Sequence, residues 1–107
     1  MYRFPSTKVE NITQAGGVVT TPVSQLSDYY YITVTPSAGA TGTLSFEARS
    51  NSTTPWEVIF DGASPLAIDL STTNVSFTLD GKFLSDLRIT PTAVVGSASV
   101  LIQQASQ

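Results

Sequence analysis

Between Gly42 and Gly62 apolar and polar residues alternate with little interruption, and the rest of the chain repeats that pattern in shorter pieces. Leu44, Phe46 and Ala48 alternate with Thr43, Ser45, Glu47 and Arg49, which predicts a strand with one dry and one wet face. Trp56, Val58 and Phe60 alternate with Glu57 and Asp61 and predict a second such strand. Between them Ser50–Pro55 is entirely small, polar or proline, the composition of a hairpin loop. On this phase Trp56, the single tryptophan, is expected to be a core anchor against which Leu44, Phe46 and Phe77 pack.

Elsewhere the same reading finds more strands. Lys8–Gln14 is a first one, with Val9 and Ile12 out of period-2 phase, so a bulge is expected between them. Gly16-Gly17 turns the chain into Val18–Thr21, which Pro22 stops. Asp28–Thr35 puts Tyr30, Ile32 and Val34 inward and Tyr29 and Tyr31 outward. Leu66, Ile68 and Leu70 form one inner face, and Val75, Phe77 and Leu79 another. Asp80-Gly81 signals a turn. Leu87 and Ile89 point inward opposite Arg88 and Thr90, and Ala98, Val100 and Ile102 inward opposite Leu101. No segment sustains a 3.6-residue period. Seven to eight short strands with regular turns predict an all-β, antiparallel β-sandwich or jelly-roll-like barrel. A single domain is expected over residues 8–107, preceded by an N-terminal arm at 1–7 that carries Tyr2 and Phe4.

Composition narrows the functional classes. At 107 residues, 41% hydrophobic and 12% charged, the chain can bury one core and is no disordered tail. The net charge is −3 and its five basic residues are scattered, which argues against nucleic acid. No long apolar run or basic amphipathic helix predicts a membrane contact. The absence of cysteine excludes disulfides and thiolate metal sites. Met1–Glu10 lacks the apolar stretch of a signal peptide, so synthesis and assembly in the cytoplasm are expected.

Candidate chemistry is sparse. The chain has no histidine, so a serine nucleophile would lack its commonest base; no GxSxG or phosphate-binding glycine loop occurs. No catalytic residue, metal ligand or cofactor site is assigned, and an enzyme is not expected. Asp61, Asp69, Asp80 and Asp86 lie at or near turns without the spacing of a calcium loop. Glu47 and Glu57 could approach across the hairpin as a carboxylate pair, but the solvated-face reading accounts for both. Asn11-Ile12-Thr13, Asn51-Ser52-Thr53 and Asn74-Val75-Ser76 match the glycosylation sequon, as expected by chance in a chain rich in Ser and Thr. The outward Tyr29 and Tyr31, joined by Ile59 and Leu101, are the candidate interface, with sugar stacking, cover by a loop and, after a one-residue slip, core burial as alternatives; Tyr2 and Phe4 of the arm either join that interface or pack back on their own domain.

One order of landmarks is distinctive. Gly42-Thr43-Leu44-Ser45-Phe46-Glu47-Ala48 leads to Pro55-Trp56-Glu57-Val58 and Asp61-Gly62, then to Asn74–Leu79. Gly81-Lys82-Phe83, Leu87-Arg88-Ile89-Thr90 and a final strand over Ala98–Gln103 complete it. Over Gly42–Gln103 the chain resembles the small β-sandwich structural proteins of tailed bacteriophages. It departs from their pattern in placing the Asp-Gly turn after the tryptophan. The resemblance implies a virion component, most readily a head decoration (cement) protein bound to the major capsid protein as a homo-oligomer, commonly a trimer. The alternative it leaves is a tail or fibre module that binds a carbohydrate or receptor through Trp56 or the tyrosines.

Overall fold

A computed structural model describes residues 3–24, 27, 29–72, 74–80 and 84–106, with 3–6, 61, 80 and 106 as backbone only. The principal strands are β1 (Arg3–Ile12), β2 (Val19–Pro22), β3 (Tyr29–Pro36), β4 (Thr41–Arg49), β8 (Ala67–Asp69), β9 (Val75–Asp80), β10 (Asp86–Val95) and β11 (Ala98–Ser106). Three two-residue pieces, β5 (Glu57–Val58), β6 (Phe60–Asp61) and β7 (Ser64–Pro65), occupy the connection from β4 to β8. The described residues contain no helix.

The pairing is that of one long hairpin, rolled up. β1 pairs with β11, β2 with β10, β3 with β9 and β4 with β8, all antiparallel. Rolling adds the pairs β11–β3 and β10–β4, giving two sheets, β1-β11-β3-β9 and β2-β10-β4, with β5 and β8 along β4. Successive principal strands therefore alternate between sheets except for β4 and β8, which lie side by side in one, the arrangement of a jelly roll. The fold is an all-β, antiparallel β-sandwich.

The core lies between the two inner faces. The β1-β11-β3-β9 sheet contributes Ile12, Tyr30, Ile32, Val34, Leu79, Ala98, Val100 and Ile102; the other contributes Leu44, Phe46, Ala48, Ile68, Leu70, Leu87 and Ile89. Phe46 meets the half-buried Phe77 edge to face, with centroids 5.1 Å apart and planes at 72°. Pro91 sits in the β10 interior, where a missing N–H would cost a ladder bond. β2 ends opposite Ile89, so β10 has only β4 beside it at Pro91.

A bulge interrupts β10 between Thr92 and Val95. Ala93 takes a left-handed φ of 52°, and its carbonyl would lie 2.5 Å from a Cβ added at Gly42. Glycine at 42 lets the two backbones approach. The Val94 N–H is satisfied by Gln14 Oε1 at 2.9 Å, which ties the turn after β1 to the bulge.

Two expectations change. The register of β1 is continuous from Ser6 to Ile12, so no bulge separates Val9 from Ile12. Val9 faces outward, 62% exposed, and Ile12 inward; the irregularity falls between Arg3 and Ser6. Residues 3–7, assigned to the arm, have the backbone of β1, and Tyr2 and the Phe4 side chain lie outside what is described. The second change is the face of the strand after Trp56. Trp56, Val58 and Phe60 do share a phase, but it is the solvent phase: Val58 is 46% and Phe60 59% exposed. Ile59 packs on the core instead, and its N–H bonds to Phe46 O at 3.3 Å. Val58 stands opposite Glu47, an outward residue of β4, and that register sets the face.

Candidate functional site

The molecule has two unlike outer faces. On the β1-β11-β3-β9 sheet, cross-strand register lines up Thr7, Gln103, Tyr31 and Thr78 in one row and Val9, Leu101, Thr33 and Ser76 in the next. Asn11, Ser99 and Thr35 extend this surface, and the Thr33 and Ser76 hydroxyls lie 3.1 Å apart. None of these residues is charged. Tyr31 is half-buried near the centre, and Tyr29 lies one pleat along β3, opposite Ala105. Leu101 joins the tyrosine surface as the sequence predicts; Ile59 does not, being held against the core.

On the opposite sheet the four charges of β4 and β10 form a square. Arg88 donates to Glu47 Oε1 from Nη2 at 2.7 Å and from Nε at 3.0 Å. Arg49 Nε donates to Asp86 Oδ2 at 2.9 Å, and Ser85 Oγ donates to the same oxygen at 3.0 Å. Both pairs are directly opposite across β4 and β10, where opposite charges support the sheet. Trp56 lies over the square, with the Arg49 and Arg88 guanidinium carbons 4.2 and 4.6 Å from its ring centroid. The tryptophan is thus half-buried on the outer face and is no core anchor.

The carboxylates form no acid/base pair. Glu47 is held by Arg88, while Glu57 stands opposite Ala48 on the other pleat and is exposed. Asp69 sits at the end of β8, where Oδ1 accepts from Ser71 N at 2.9 Å and from Ser71 Oγ at 2.7 Å. The backbone N–H of Ser71, and then its hydroxyl, hold the Asp69 carboxyl below its ordinary pKa. Among the described residues no three His, Cys, Asp or Glu side chains converge into a metal-binding group. The side chains of Asp61 and Asp80 lie outside the description.

The two open sides of the sandwich also differ. At the β1/β2 side Lys8 Nζ donates to Pro22 O at 2.6 Å, strapping one sheet edge to the other. At the β8/β9 side a groove of about 490 Å³ opens between the edges, walled by Ile59, Phe60, Leu66, Ile68, Val75 and Phe77. A second hollow of about 270 Å³ shares Ile59, Phe60 and Leu79 with it and reaches Glu57 and Leu84. Below this end the buried Tyr30 hydroxyl accepts from Leu84 N at 3.0 Å and lies 2.9 Å from both Ser24 O and Ser27 O. The sequence marks Tyr30 only as inward; its role as a polar hub has no local signature.

Comparison with protein-family models gives no match, and neither does comparison with curated proteins. Among solved structures, a chain from Bacillus endospore appendages, described as a novel family of disulfide-linked pili, is 12% identical with a TM-score of 0.41. The match covers 95% of this chain and 90% of that one. A likeness of that degree carries no functional argument.

Proposed function

We propose that the chain is a non-enzymatic structural protein of a virion, a decoration subunit that seats on the major capsid protein and associates with its own copies, as a trimer. The observation that carries this reading is the run of uncharged outward residues on the β1-β11-β3-β9 sheet, from the Thr7–Thr78 row to the Asn11–Thr35 row. Interface centres are depleted of charge and enriched in aromatic residues, and Tyr31, Leu101 and Val9 form such a centre within a Thr, Ser and Gln surround. The other sheet carries the two ion pairs of β4 and β10 together with the exposed Glu57 and Asp69, which leaves that side the wetter one. The resemblance over Gly42–Gln103 supplies the kind of particle. The test is purification of intact particles with sedimentation of the isolated protein. High-copy co-purification and a symmetric oligomer are expected. Changing Tyr31→Asp with Leu101→Lys should abolish both while leaving the thermal midpoint near that of the parent. Particles that lack the chain, or a variant that binds them equally well, would overturn the proposal.

One observation favours a second reading, a tail-associated glycan- or receptor-binding module. Trp56 is on the outer face, half-exposed above two guanidinium groups that are themselves held by carboxylates. A rigid aromatic surface with polar neighbours suits stacking of a sugar ring. Saturable quenching of Trp56 fluorescence by a glycan is its expected sign, and a flat titration across a broad panel removes it.

A further inference from the structure

We propose that the groove between β8 and β9 receives an extended peptide segment of a partner protein, apolar at every second residue and basic at both ends, which adds as a strand to β9. This is a surface separate from the outer face of the β1-β11-β3-β9 sheet. Three observations meet here. First, among the described residues β9 hydrogen-bonds to β3 alone, so the other edge of Val75–Asp80 is a row of unused backbone donors and acceptors. Native proteins blunt such edges with Pro, Lys or a bulge. β9 contains neither Pro nor Lys, and its register with β3 is unbroken. Second, the space beside that edge is walled by apolar side chains, and Phe60, on its rim, is 59% exposed. Strand addition draws its affinity from main-chain bonds and its specificity from pockets for alternate side chains. Third, the combined hollow runs along β9 from Leu79 to Val75, with the exposed Glu57 at one end and Asp69 at the other. The six residues of β9 span roughly 20 Å, so a strand of that length brings its two ends to the two carboxylates. The contrast with the β1/β2 side, which Lys8 straps shut, leaves this as the receptive side.

The test uses the full chain and the synthetic peptide Lys-Val-Thr-Val-Thr-Val-Lys, followed by fluorescence anisotropy and by backbone chemical shifts. Saturable binding is expected, with the largest shifts in Val75–Leu79. N-methylation of alternate peptide nitrogens should weaken binding by roughly tenfold or more, through lost main-chain bonds. Phe60→Ser, at an exposed position, should weaken it about tenfold without lowering the thermal midpoint. The double change Glu57→Gln with Asp69→Asn keeps the Asp69 turn acceptor; it should weaken the Lys-flanked peptide several-fold and leave a Thr-flanked one unchanged. Absence of saturation into the millimolar range, indifference to N-methylation, or shifts confined to the outer face of the β1-β11-β3-β9 sheet would overturn the proposal. So would a peptide-free dimer that Phe60→Ser dissolves, because the occupant would then be a second copy.

Discussion

At the scale of single residues, Trp56 is the position where composition misleads most. A lone tryptophan in phase with Val58 and Phe60 reads as core, yet it caps a charged square on the outside. The two placements differ in cost. Truncating a buried tryptophan costs about 3–5 kcal/mol, whereas cation–π contacts at a surface contribute about 0.5–1 kcal/mol each. Trp56→Ala is therefore expected to lower stability in urea by only about 1–2 kcal/mol. A larger loss would return the residue to the core. Asp69 gives a second residue-scale outcome. Its carboxyl is held low in the folded chain by Ser71, so its contribution is present above the ordinary carboxylate pKa and is lost as pH falls through the lowered folded value. Titration followed by NMR should show Asp69 ionising at lower pH than it does in Ser71→Ala. In that variant the acid side of the stability profile should fall less steeply.

At the scale of elements, the long strands were legible because each buries one face. β3, β4 and β9, the Leu87–Ile89 part of β10 and the Ala98–Ile102 part of β11 carry unbroken alternation over their inner residues, and the structure keeps those phases. The strand after Trp56 was not legible, for a physical reason. It is two residues long and lies at a sheet edge, so its face is decided by which residue meets Glu47 and not by its own apolar count. β1 failed in a related way: Val9 is apolar yet outward, and alternation alone cannot tell an exposed valine from a bulge. The candidate interface shows the same division. Tyr29, Tyr31 and Leu101 were placed by period, while Ile59 follows the short edge strand inward. The groove needed both sheets, since its walls come from segments that meet only after the hairpin rolls. The Ala93 bulge depends on Gly42, where φ is 102° and any side chain would strike the Ala93 carbonyl. Gly42→Ala is expected to cost roughly 1–3 kcal/mol, measured by denaturant unfolding. Gly39→Ala, at a φ of 75° with open space around it, should cost less.

At the scale of the whole molecule, charge and polarity are segregated among the described side chains: paired charges and Trp56 on one face, rows of Tyr, Thr and Leu on the other, and an apolar groove with acidic ends between. That segregation makes the proposed assembly directional, because only one broad face is cheap to dehydrate. The rolled hairpin has a consequence for how the protein is made. Among the described residues β1 pairs with β11 alone and β2 with β10 alone, so on a ribosome both stay unpaired until the chain through β10 and β11 has followed them. Contacts of such sequence separation also make folding intrinsically slow. Ribosome-bound chains stopped after Val95 should be digested by protease from their N-terminal strands onward, and resistance should emerge abruptly once Ala98–Ser106 has cleared the exit tunnel.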